Sequence, residues 1–105
     1  MQGGENEKSA PVYTLEGMHY SDNKITGTVV HDPSTAESPK LYARVTVFFV
    51  GGSYAVFADF IEDGVIDIEV HGNVLAASVD MIGSKNVTPG VEVDVFGSWG
   101  EYFKN

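Results

Sequence analysis

Apolar residues in this chain recur at every second position in short runs, and that period does most to narrow the folds open to it. A helix would need an apolar stripe repeating every 3.6 residues, and no segment carries one. The clearest run is Lys40–Val50. Leu41, Ala43, Val45, Val47 and Phe49 share one phase, while Tyr42, Arg44, Thr46 and Phe48 share the other. Successive side chains of a strand point to opposite sides of the pleat, so this run predicts a long central strand with an aliphatic inner face.

The same reading predicts strands over Val12–Tyr20, Lys24–His31, Tyr54–Ile61, Val65–Val70, Val74–Ile82 and Val91–Trp99. In the first of these, Tyr13 and Leu15 lie in one phase and Met18 and Tyr20 in the other, which a bulge near Gly17 reconciles. In the last, Val91, Val93, Val95, Gly97 and Trp99 are expected on one face, against Glu92, Asp94, Phe96 and Ser98. Turn residues separate the runs: Ser21-Asp22-Asn23, Gly51-Gly52-Ser53, Glu62-Asp63-Gly64 and Gly72-Asn73. Strands at this spacing predict an all-β chain, a single antiparallel β-sandwich of about seven strands, with a barrel as second choice. The short turns on either side of Tyr54–Ile61 predict a meander through the third, fourth and fifth strands. Crossings between sheets are then expected at the longer links after His31 or Met81.

At 105 residues the chain has room for one domain, expected over residues 11–105, with the polar, glycine-paired Met1–Ala10 as a disordered leader or linker. No apolar stretch approaches the ~20 residues of a membrane-crossing helix, so membrane insertion is not expected. Six Lys and Arg against fifteen Asp and Glu give a net charge of −9, the wrong sign for a nucleic-acid backbone or an anionic lipid surface. Cysteine is absent, which excludes disulfides, thiol nucleophiles and thiolate metal sites.

The inventory for catalysis is thin. No serine stands in a G-x-S-x-G setting, and none has a His and an acid at a recognisable spacing. Glu62/Asp63, Asp67/Glu69 and Glu92/Asp94 are paired carboxylates of the kind a glycosidase uses, yet polar-face acids at this spacing are also what solubility asks of a strand. His19, His31 and His71 show no metal-binding spacing. No cofactor is expected. Acids in turns (Asp22, Asp32, Glu62 and Asp63) make calcium the one structural ion the composition admits. Asn86-Val87-Thr88 fits a glycosylation sequon in the last loop.

Aromatic placement departs from a purely inward pattern. Tyr42, Arg44 and Phe48 share the outward face of the third strand, two rings flanking one cation. A second layer, a partner or solvent can cover such a face. Ring faces stack on the C–H surfaces of sugars while polar neighbours bond hydroxyls, so an exposed face of this kind points to a glycan site. Near the C-terminus, Phe96–Phe103 packs four aromatics into eight residues; Trp99 shares the core phase, and Tyr102 and Phe103 are expected beyond the strand. The candidate ligand-binding set is therefore Tyr42, Arg44, Phe48, Trp99 and Tyr102.

I-T-G-T-V at Ile25–Val29 and Y-A-R-V-T-V-F-F at Tyr42–Phe49 resemble the paired early strands of immunoglobulin-like accessory modules of bacterial secreted and cell-surface proteins. The resemblance implies a non-catalytic, immunoglobulin-like sandwich working outside the cell beside other modules. It carries over no functional residue, and the Cys…Trp…Cys core of antibody domains is absent. Two functions are then expected. The first is carbohydrate binding through surface aromatics. The second is a structural or protein-interaction role, with a polysaccharide, a protein or a second copy of the chain as partner.

Overall fold

The computed structural model describes residues 9–88 and 90–103. Among them are seven strands and no helix: β1 (Tyr13–Ser21), β2 (Lys24–His31), β3 (Tyr42–Phe49), β4 (Tyr54–Phe60), β5 (Val65–Glu69), β6 (Val74–Ile82) and β7 (Val95–Tyr102). They form two antiparallel sheets, β1-β2-β5 and β4-β3-β6-β7. One core joins Ile25, Ile66 and Ile68 of the first sheet to Val45, Val47, Val79 and Met81 of the second, a sandwich-like arrangement. Each fully buried aliphatic side chain contributes roughly 1.5–3 kcal/mol, so these alternating positions are where the period-two pattern becomes stability. Of the predicted leader, Met1–Lys8 lie outside the described residues; Ser9 bridges Thr35, and its carbonyl accepts from the Ala36 N–H at 3.1 Å.

Local chemistry sets the registers. Asp22 and Asn23 both have positive φ (53° and 64°), the two-residue turn that matches strand twist, and they pair Ser21 with Lys24. In β1 the register shifts between Glu16 and His19, where Gly17 takes φ 64° and Met18 settles over Gly27 of β2. This is the bulge that the change of phase demands.

The expected meander is corrected. β3 and β4 do pair through the Gly51–Ser53 turn, but β5 leaves for the other sheet and pairs with β2. Buried Ile61 is still held by the β3 side, its N–H donating to Leu41 O at 2.9 Å, whereas the Gly64 carbonyl already accepts from Val29 of β2 at 2.8 Å. Asp63 and Gly64, at φ 58° and 67°, bend the chain across the core between those two anchors. The next link returns as abruptly: Val70 donates to Asn23 O at 2.8 Å, and Asn73 O accepts from Val50 at 2.9 Å. Crossings thus use two short links as well as the one after His31. The link after Ile82 stays within one sheet.

The last strand is also corrected. Val91–Asp94 is not strand, and the strand runs on through Tyr102. A register shift between Met81 and Ile82 lets Val95 oppose Ile82 while Gly97 opposes Met81, which turns Val95 outward and Phe96 toward the core. Beyond Tyr102, the Phe103 N–H donates to Leu75 O at 2.7 Å, and its ring lies 5.0 Å from that of Tyr20. β1 crosses so near β7 that a side chain at Gly97 would strike the carbonyl oxygen of Tyr13.

Each sheet edge carries a device against pairing with another chain. β1 is bulged and β5 is five residues long. On β4, Asp59 sits on the core-facing side opposite Ala43, and on β7 Glu101 does the same opposite Ala77. These are inward-pointing charges that a docked strand would have to bury.

Candidate functional site

The β3 register carries its outward residues into line with three neighbours. Four rows cross the outer face of the larger sheet: Phe60–Tyr42–Ile82–Val95, Ala58–Arg44–Asp80–Ser98, Val56–Thr46–Ser78–Gly100 and Tyr54–Phe48–Ala76–Tyr102. The first and last rows hold the aromatics. Tyr42 meets Phe60 edge to face with centroids 5.5 Å apart, and Phe48 lies 6.1 Å from Tyr54.

A segment of the β6–β7 link, residues 87–88 and 90–93, lies over part of this face. Ile82 is wholly buried and Ala58 nearly so, although both lie outside the main core. Between sheet and segment runs a groove of about 250 Å³, floored by Arg44, Thr46, Tyr54 and Val56 and roofed by Val87, Thr88, Gly90 and Val91. A neighbouring recess of about 390 Å³ shares Arg44, Gly90 and Val91 and adds Glu92 and Val93. The fourth row is left open: Tyr54 is 62%, Phe48 46% and Tyr102 63% exposed. Ala76 between the last two is too small to interrupt them.

Arg44 does not reach outward as a free cation. Its Nη2 donates to Asp80 Oδ2 at 2.8 Å, directly across the strand pair, with the two side chains 24% and 20% exposed. They are the only charged residues in the four rows, so the rows themselves carry no net charge on a chain of net charge −9, and Glu92 stands in the recess above Arg44. The outward side of the smaller sheet carries Glu16, Lys24, Asp67 and Glu69 in its register, with Lys24 and Asp67 3.3 Å apart.

Of the five residues singled out from the sequence, Tyr42, Arg44, Phe48 and Tyr102 share this face. Trp99 does not: it opposes Val79 on the inner side, packed against the core. Tyr54 and Phe60 complete the aromatic rows and were not foreseen. The hairpin holds the signal for both, because a Gly51–Ser53 turn that sets Tyr54 opposite Phe48 also sets Phe60 opposite Tyr42.

Elsewhere the titratable groups serve local structure. The Asp32 carboxylate accepts from the Ser34 hydroxyl at 2.7 Å and the Ser34 N–H at 2.9 Å, and these bonds hold its pKa below the ordinary carboxylate value. The His31 ring lies 4.9 Å from that of Tyr13, tilted by 48°, with Nε2 2.8 Å from Ala36 O. Among the described residues no three His, Asp or Glu side chains converge as metal ligands would. Asn86 of the sequon turns inward on its own loop, its Oδ1 accepting from the Thr88 N–H at 2.9 Å.

Comparison with family models, with curated proteins and with solved structures finds no match.

Proposed function

We propose that this chain is a non-catalytic binding module of immunoglobulin-like type, at the surface of or outside a bacterial cell, and that the outer face of its larger sheet contacts carbohydrate. The observation that carries the reading is the fourth row: three exposed rings, Tyr54, Phe48 and Tyr102, on one line across a sheet. Soluble domains rarely present aromatic surface without a use for it. Rings offer flat apolar faces that suit the C–H side of a pyranose, and Thr46, Ser78 and the two tyrosine hydroxyls stand beside them to bond its hydroxyls.

Supporting the immunoglobulin-like part is the strand order. Lettered A to G, the sheets read ABE and DCFG, so only the fourth strand departs from the constant-type ABED and CFG arrangement. The second reading, a protein-interaction module, would draw on the same face, because Asp59 and Glu101 work against partners at the sheet edges. Affinity electrophoresis in gels cast with a panel of polysaccharides separates the two. Retardation on at least one glycan, reduced in Phe48→Ala and Tyr102→Ala but not in Thr14→Ala on the opposite sheet, is the expected result. No retardation on any glycan refutes the carbohydrate reading.

A further inference from the structure

Resting on that carbohydrate reading, we infer that the ligand is an uncharged, extended polysaccharide, gripped in mid-chain and lying across the strands along the Tyr54–Phe48–Tyr102 line. Three features of the face lead there. The first is charge. A glycan bearing carboxylates or sulfates is recognised by free cations; among the described residues, which exclude Lys8 and Lys104, the rows offer none, since Arg44 is bound to Asp80 at 2.8 Å. Lys40 precedes β3 at the Tyr42 end, eight residues from Phe48, which is about 26 Å along an extended strand. Lys85 follows β6 at that same end. An anionic chain on the open row would also meet the repulsion of a protein with a net charge of −9.

The second feature is openness. The row begins on β4 and ends on β7, the two edge strands of the sheet, and its terminal rings are its most exposed members. Among the described residues both end rings stay more than half exposed, Tyr54 beside the groove and Tyr102 at the opposite edge, so a polymer can enter over one edge and leave over the other without presenting a terminus. The third is length. Four strands set side by side at about 4.8 Å place Tyr54 and Tyr102 roughly 14 Å apart, the scale of several linked sugar rings and not of one.

The test is equilibrium binding of the full chain to a mixed-linkage β-glucan, xylan and galactomannan as neutral probes, and to alginate and polygalacturonate as anionic ones, each at low and high sodium chloride. The proposal expects binding to at least one neutral polymer, unchanged by salt and not competed by its constituent monosaccharide. Loss of one ring, in Phe48→Ala or Tyr102→Ala, should weaken it about fivefold. Phe48→Leu keeps the apolar bulk and removes the flat face, and should also weaken it; Phe48→Trp should restore it. Retention of fold in each variant is read from the fluorescence of Trp99, which lies on the other side of the sheet.

Binding to the anionic polymers alone, or binding abolished by salt, overturns the neutral-ligand inference and leaves the carbohydrate reading standing. Competition by a monosaccharide, or affinity only for chain ends, overturns the mid-chain geometry. Neutral binding equal in wild type and both alanine variants removes the aromatic row from the site. Silence on every polysaccharide, with a Phe48-dependent dimer by light scattering, overturns inference and reading together in favour of a protein contact.

Discussion

Arg44 and Asp80 should behave as a closed pair whose two members matter to each other and not to a ligand. Their 2.8 Å contact joins adjacent central strands, and side-chain exposures of 24% and 20% place it between two regimes. Exposed ion pairs contribute ~0–1 kcal/mol. Breaking a fully buried pair from one side costs ~3–5 kcal/mol, because the surviving charge is left without a counter-ion. Asp80→Leu should therefore cost about 2 kcal/mol, between those two limits. In a domain of this size that lowers the thermal midpoint by about 10 °C. Arg44→Met leaves the Asp80 carboxylate without its counter-ion and should cost a similar amount. The double variant should return to within about 1 kcal/mol of wild type, as apolar side chains replace both charges. Urea denaturation followed by the single tryptophan, Trp99, measures all four corners of the cycle. Single-variant costs that simply add in the double variant would refute the pairing argument. So would a double variant that keeps its stability but loses affinity for a neutral glycan, because Arg44 would then be acting on the ligand.

Three further outcomes bear on the frame around that face. Gly97→Ala drives a methyl group into the Tyr13 carbonyl oxygen where β1 crosses β7, and should cost about 1–3 kcal/mol by urea titration; a cost below ~0.5 kcal/mol would mean the crossing is looser than described. Asp59→Val removes the inward charge from the β4 edge and should produce concentration-dependent oligomers larger than the wild-type species on size exclusion, while an unchanged elution volume would show that the edge needs no such guard. The Ser34 hydroxyl and N–H lower the Asp32 pKa, so the ionised form is favoured by folding: its contribution is present above the ordinary carboxylate range near ~3.9 and disappears as pH falls through the lower, folded value. The stability gap between wild type and Asp32→Ala should accordingly narrow in acid, and a gap that widens as pH drops would contradict that sign.

What the sequence makes legible follows from how local each signal is. Alternation within one strand is local, so Lys24–His31 and Val74–Ile82 are read to the residue, and the β1 bulge shows itself as a change of phase. Pairing is not local. Gly51–Ser53 closes a hairpin and Glu62–Gly64 begins a crossing, though both read as a short polar turn ending strands of similar pattern. Burial of Ile61 with its bond to Leu41, and the bond from Val29 to the Gly64 carbonyl, distinguish the second. V-E-V-D at Val91–Asp94 alternates like a strand, but the β6–β7 pairing begins at Ile82 opposite Val95, and the segment before it lines the groove over the sheet instead.

The candidate site divides along the same line. Phe48 stands out in sequence because an aromatic in the outward phase breaks the rule of polar residues facing water, a breach visible within a single strand. Arg44 stands out for the opposite reason, as a cation between two rings. Its role depends on Asp80, 36 residues further on, and that is settled only when β6 lies down beside β3. A surface that binds through flat rings can thus be sought in one strand's alternation, whereas its charge is a property of the register between strands. The neutrality of the four rows exists only once the sheet has formed.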